Sequence, residues 1–382
     1  MKALSICYIT GQLGQGGAER QLFLLARELI VRGHHVTVVS LSGKRDDFWV
    51  RPLQLAGAQV IMLPFDLLKL QRVRRICEIT AQMRVDVLHS WTFSANPYAA
   101  VSGCLTQVPM RFGSERSNHH FSRKTVGRVG YRVCLAGLDG LTTNTTYAAA
   151  YIKQCRPALP VHVVPNAVEL PSLTCCSERA RLRQEIGLSP NALAVAGVGS
   201  LFRSKNFEQL LSSGAKLFSR VPNLRIVLVG DGPERERLKK LAAELLPLNT
   251  VLFLGSLPKA ADIMGAFDVV ALPAVGYEGL PNVLIEAAAA GVPSIANDVG
   301  GCREAVSDGV SGFIVPEANS DAFTDQLGVL CGSLELRRRM GAAARQIAVR
   351  EFSLDSMLRR MLDVYRREPG GLIGTNLPCA GC

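Results

Sequence analysis

The chain has 382 residues, 48% of them hydrophobic and 20% charged, with a formal net charge of +11. That length is more than one ordinary core holds, and it predicts two α/β domains. No apolar run reaches the roughly 18 residues of a membrane-spanning helix, so any membrane contact is expected at the surface only.

The 11 cysteines are scattered and odd in number. They form no disulfide framework and read as those of a reduced, cytoplasmic protein. Cys7, Cys77, Cys104 and Cys134 stand in apolar contexts and are expected in the core. Cys379-Ala-Gly-Cys382 has no second ligand pair to support a metal or redox role. Asn144-Thr-Thr146 has the form of a glycosylation sequon without a secretory context. Positive charge gathers in the first half, at Lys69, Arg72, Arg74, Arg75, Arg84, Arg111, Arg116, Arg123, Lys124, Arg128 and Arg132. Only Asp66, Glu78, Asp86 and Glu115 oppose it in that stretch. No recognition motif accompanies the charge, which argues against nucleic acid.

Residues 3–9 predict a first strand rather than a signal peptide, because the run is short and has no cleavage site. Thr10-Gly11-Gln-Leu-Gly14-Gln-Gly16-Gly17-Ala18-Glu19-Arg20 then opens a helix. Glycines allow a close backbone approach, and the free amides of a helix start attract phosphate. Glu19 stands where G-x-G-x-x-G needs its third glycine, which argues against a nicotinamide dehydrogenase. A tight strand–helix turn is the plainer reading.

Further strands are predicted at 35–41, 60–63, 85–90, 110–113, 138–143 and 161–164. Leu67, Leu68, Lys69, Leu70, Arg72, Val73, Arg75 and Ile76 make a basic amphipathic helix. Its face suits an anionic membrane leaflet, or is simply solvated. Residues 1–168 thus form a doubly wound first domain, and 169–177, stiffened by Pro171, a linker. Residues 178–352 repeat the alternation, with helices at 178–186, 207–218 and 233–245. Their strands are expected at 193–198, 224–229, 251–254, 269–272 and 294–296. Alternating strands and helices imply parallel sheets covered on both faces. A helix over 353–369 and a loose tail over 370–382 complete the chain.

The most informative run is Tyr277-Glu278-Gly279-Leu280-Pro281-Asn282-Val-Leu-Ile-Glu286, ending at Gly291 and Pro293. Pro281 suits the first helical position and Gly291 the C-terminal stop. The free amides near Gly279–Asn282 then face the carboxyl end of a strand. Glu278 and Glu286 bracket this start, and each carboxylate can grip a vicinal diol. The plainer alternative has Glu278 favouring the helix dipole and Glu286 solvated.

Four segments in order carry a resemblance. They are Glu278-x7-Glu286, Ala287-x3-Gly291-Val-Pro293, Asp298-Val-Gly300-Gly301-Cys-Arg-Glu304 and Gly309-x2-Gly312-Phe-Ile-Val-Pro316. Together they resemble the family 4 retaining glycosyltransferases. The resemblance implies the GT-B fold, two doubly wound Rossmann-like domains facing across a cleft, with the last helix crossing back to the first. It implies a nucleotide-sugar donor, UDP or GDP being expected. Gly16 and Gly17 would lie against the donor phosphates or the acceptor.

Lys205 matches a family lysine that neutralises the departing diphosphate. Ser200 departs from the pattern, standing where the family carries an arginine, and Arg203 is the candidate to replace it. Gly230 and Leu257 lie in loops that border the nucleobase. Glu278, with the amides of Gly279 and Leu280 and beside Pro281 and Asn282, would hold the donor sugar, and Glu286 the ribose. Many relatives carry a histidine after the strand at 110–113. Here Glu115, Arg116 and His119 are the acceptor-side candidates, with a surface loop as the alternative.

Asp-x-Asp is absent and no His/Cys cluster has zinc spacing, so no metal and no cofactor are expected. The acceptor is expected to be lipid-linked or a saccharide, on a cytoplasmic protein that touches the inner face of the membrane. A sugar-nucleotide epimerase of the same fold and a non-catalytic sugar-nucleotide binder are the rivals.

Overall fold

The computed structural model describes residues 2–43, 47–116, 127, 129–257, 259–276, 278–317 and 319–366. Tyr277, His119, His120, Arg123, Lys124, Arg128, Cys379, Cys382 and the tail over 370–382 lie outside the described residues.

Two all-parallel sheets carry the fold. The first holds β1 (Ser5–Thr10), β2 (His35–Ser40), β3 (Gln59–Met62), β4 (Val87–Ser90), β5 (Met110–Glu115), β6 (Gly140–Thr143) and β7 (Val161–Val163). Their order is β3-β2-β1-β4-β5-β6-β7. The second holds β8 (Leu193–Val198), β9 (Leu224–Val229), β10 (Val251–Gly255), β11 (Val269–Leu272), β12 (Ser294–Asn297) and β13 (Gly312–Val315). Their order is β10-β9-β8-β11-β12-β13. The strands are short apolar runs because helices cover both faces. Every residue of β8 is buried. In each sheet the order reverses beside the first strand, and ligands of doubly wound sheets sit at such a point, beyond the carboxyl ends.

The helix Leu354–Arg366 lies in the core of the first lobe. It buries Met357, Leu358, Met361, Leu362, Val364 and Tyr365 there. The chain crosses between lobes at two adjacent places. Val168 N donates to Phe352 O at 2.8 Å, and Val168 also bridges to Ser353.

Some elements differ from the sequence reading. β13 was not expected, because its apolar run is only the three residues 313–315 and opens on a glycine. A Cβ on Gly312 would sit 2.0 Å from Ser294 O, so glycine lets β12 and β13 pair here. Pro281 caps the following helix (φ −69°, ψ 114°) and Asn282 begins it. The helix expected at 178 begins at Cys176. Of the four expected core cysteines only Cys7 is buried. Cys77 and Cys134 are half-buried. Cys104 is exposed beside the Arg111 guanidinium, which donates to its sulfur at 3.2 Å.

The basic segment forms the helix Lys69–Gln82, with Ile76, Ile79 and Thr80 turned inward. Phe65, Leu68 and Leu70 are 73%, 70% and 84% exposed beside Lys69 and Arg72. Among the described residues no helix is long and apolar enough to cross a membrane.

Candidate functional site

The chain leaves β11 at Leu272 and turns toward the helix Asn282–Ala289. Val275 N donates to Ser204 O at 2.8 Å, and Gly276 N to the Glu317 carboxylate at 2.7 Å. Gly300 takes a left-handed φ of +53°, and a Cβ there would lie 1.7 Å from Glu278 O. Gly301 N donates to the carbonyls of Glu278 and Gly279, each at 3.1 Å. The Gly300-Gly301 turn is therefore a backbone cradle that sets the height of Glu278.

Lys205 closes the turn Arg203–Lys205, and its ammonium pairs with the Glu278 carboxylate. Arg203 and Ser200 are exposed in the same loop. A Cβ on Gly230 would lie 1.9 Å from Gly199 O, so the loops after β8 and β9 press together. Leu257 is half-buried against the core. Glu286 is 8% exposed, so the solvated alternative does not hold for it. Burial raises its pKa, and the Arg20 guanidinium, reaching over from the first lobe, opposes that rise. A carboxylate buried this far needs such a partner, because an isolated one costs several kcal/mol.

The facing wall is the start of the helix Gly17–Val31. A Cβ on Gly17 would lie 2.6 Å from Asn282 Nδ2, so this glycine lets two helix starts meet. A Cβ on Gly16 would lie 2.0 Å from Glu19 Oε2, a carboxylate buried in the first turn of its own helix. Asn166 Nδ2 donates to Leu280 O at 3.2 Å and Asn282 Oδ1 at 2.8 Å. The Glu304 carboxylate accepts from the amides of Thr146 and Tyr147 at 2.8 and 3.1 Å.

Below this wall lies a buried polar cluster. Tyr365 OH meets Tyr8 OH at 2.8 Å and His89 Nδ1 at 2.6 Å. His89 Nε2 faces Ser114 Oγ at 3.0 Å and Thr142 Oγ1 at 3.1 Å. Burial lowers the His89 pKa to about 3, so the ring is neutral at ordinary pH. Glu115 is fully buried and Arg116 is 8% exposed, so the surface-loop alternative does not hold for this pair. His119 lies outside the described residues.

Residues 15–171 match the family model Glycosyltransferase Family 4, and 178–347 match Glycosyl transferases group 1. The chain belongs to the family 4 glycosyltransferases. A D-inositol 3-phosphate glycosyltransferase of Nocardia farcinica is 34% identical over 228 residues, 56% of this chain. The match spans 50% of that relative's own length. A GDP-mannose-dependent alpha-(1-6)-phosphatidylinositol monomannoside mannosyltransferase of Mycolicibacterium smegmatis is 26% identical over 361 residues, 88% of this chain and 91% of that one. Anabaena Alr3699/HepE, solved in complex with UDP, shares the GT-B fold at a TM-score of 0.82 and 21% identity, over 94% of this chain and 99% of that one.

Within this family frame, the structure brings Lys205, Glu278 and Glu286 around one helix start, opposite Gly16 and Gly17. The sequence assigns no role to Arg20, Asn166, Glu304 and Tyr365. Arg20 lies in the glycine-rich run after the first strand and Glu304 closes the Asp298–Glu304 segment, so both carry a local signal. Tyr365 carried none, because only the crossing of the last helix brings it under the site. Among the described residues no group of three or more His, Cys, Asp or Glu is placed to hold a metal ion.

Proposed function

We propose that the chain moves a sugar from a nucleoside diphosphate to an acceptor hydroxyl, with retention at the anomeric carbon. The observation that carries this reading is the convergence of Lys205, Glu278 and Glu286 on one helix start that faces a glycine-rich loop. Glu286 takes the ribose diol. Glu278 and the amides of Gly279 and Leu280 take sugar hydroxyls. On donor binding Lys205 turns from Glu278 toward the diphosphate, with Arg203 beside it. The bond from the anomeric carbon to the diphosphate breaks, and the acceptor oxygen bonds that carbon on the same face. The acceptor proton passes to the departing phosphate oxygen. Fixed positive groups aimed at the developing charge are the main catalytic device, and no metal is called on.

UDP or GDP is the expected nucleotide, a choice supported by the UDP of HepE and the GDP-mannose dependence named for the M. smegmatis relative. The acceptor is a lipid-linked or saccharide intermediate of cell-envelope assembly, met at the cytoplasmic face of the membrane. The exposed Phe65, Leu68 and Leu70 beside Lys69 and Arg72 support that placement.

The test is binding and slow hydrolysis across UDP-, GDP- and ADP-sugars with EDTA present. EDTA-resistant release of one diphosphate, slowed about 100-fold by Lys205→Ala, is expected. Epimerised sugar still attached to its nucleotide overturns the reading in favour of an epimerase.

A further inference from the structure

Arg116 is a buried cation with few partners. It is 8% exposed and makes no ion pair among the described residues. Residues 117–126, which follow it, contain no Asp or Glu. Its Nη1 donates to Asn166 Oδ1 at 3.1 Å, while Nε and Nη2 have no hydrogen-bond partner among the described residues. Its guanidinium carbon stands 3.8 Å from the centre of the Trp91 ring. Such a cation–π contact is worth about 2 kcal/mol when desolvated, less than the hydration that a buried ion gives up. Burial pulls the Arg116 pKa down to about 10, which still leaves it charged at neutral pH.

Its neighbours are two helix starts. Trp91 Nε1 donates to Ala18 O at 2.7 Å, in the first turn of Gly17–Val31. Asn166 links the guanidinium to Leu280 and Asn282, at the start of Asn282–Ala289. Helix starts carry partial positive charge. The nearby carboxylates are already engaged, Glu286 by Arg20, Glu278 by Lys205 and Glu304 by two amides. Among the described residues Arg116 itself has no acidic partner, and two of its guanidinium nitrogens are left open beside these helix starts.

We propose that Arg116 binds the donor's diphosphate, as a first-lobe cation that joins Lys205 in the closed cleft. This rests on the proposed function above. The experiment measures UDP and GDP affinity, and ligand-free thermal unfolding, for the wild type, Arg116→Met and Arg116→Lys. Arg116→Met is expected to weaken diphosphate binding about 10-fold or more, and Arg116→Lys to keep most of it. The ligand-free Tm of Arg116→Met is expected to be unchanged or higher, because an apolar side chain replaces an under-partnered buried ion. A purely structural arginine would lower Tm instead, and a fall in Tm that parallels the loss of affinity overturns the proposal. Equal affinity in wild type and Arg116→Met also overturns it, and leaves the proposed function standing. A wild type that binds neither UDP nor GDP overturns both.

Discussion

The two lobes have the same architecture and present their site residues differently. In the second lobe the chemistry sits in loops that are continuous in sequence: 199–206 after β8, and 278–286 running into a helix. In the first lobe it is assembled from Tyr8, Arg20, His89, Trp91, Arg116, Asn166 and Tyr365, drawn from five strand ends or loops and two helices. A contiguous site is legible as a motif. A convergent one becomes visible only when the sheet brings distant strand ends together.

The largest expected effect tests whether the second lobe works through backbone placement. Gly300→Ala puts a Cβ 1.7 Å from Glu278 O at a φ of +53°. The clash is with main chain, so no side chain can yield and Glu278 must move. A displacement of about 1 Å at a reacting centre costs about 100-fold in rate, and a loss of that size in donor turnover is expected. Gly309→Ala is the control. It shares a positive φ, +72°, but a Cβ there meets nothing within 4 Å. It is expected to lose about 1 kcal/mol of stability and to keep full turnover. Equal turnover losses in the two variants would remove the cradle from the account.

This contrast explains what the sequence yielded. Strand–helix alternation made the twin sheets legible, since buried parallel strands are short apolar runs between turn residues. The family pattern brought out Glu278, Glu286 and Lys205 because each lies within a few residues of a glycine turn. The Gly300-Gly301 turn was visible as a pattern, but its work on the Glu278 carbonyl was not, because that contact spans about 20 residues of chain. Arg116 stands in the sequence as a candidate with a surface loop as the alternative, and only the structure decides its burial, since no local feature says that a loop arginine after a strand is buried. β13 was missed because glycine, usually a strand breaker, is there the residue that lets two strands approach.

The next effect concerns the outer face of the first lobe. Lys69, Arg72 and Arg75 stand on a helix whose first turn exposes Leu68 and Leu70. Near an anionic leaflet each basic residue contributes about 1 kcal/mol. A triple replacement by glutamine is thus expected to weaken binding to phosphatidylglycerol vesicles about 100-fold. Glu78 already pairs with Arg74 at 3.2 Å and Arg75 at 2.8 Å, so part of the Arg75 share is spent within the helix. Wild-type protein that fails to sediment with such vesicles at low salt would end this reading. No second-lobe surface enters the prediction, so the vesicle assay separates the lobes as sharply as the glycine pair does.

The last effect lies in the buried cluster and is a matter of proton uptake. Burial lowers the His89 pKa from 6.5 to about 3, with the Arg116 charge adding to the shift. Above pH 6.5 the ring is neutral whether the chain is folded or not, so it adds no pH dependence. Below 6.5 the unfolded chain binds a proton that the folded chain refuses. Stability therefore falls with pH, by up to about 1.4 kcal/mol per unit, until the pH nears 3. His34 is lowered in the same direction, by burial first and then by Arg366, and adds its own share. The raised carboxyls of Glu19 and Glu286 bend the curve the other way. Comparing wild type with His89→Gln cancels those contributions. The variant is expected to lose about one proton's worth of slope below pH 6.5 and to unfold at a lower temperature at pH 8, where its missing bonds to Tyr365, Ser114 and Thr142 are not offset. Parallel stability curves for the two proteins would mean that His89 is hydrated in solution. The first lobe would then lack the dry polar floor on which Arg116 and Tyr365 depend.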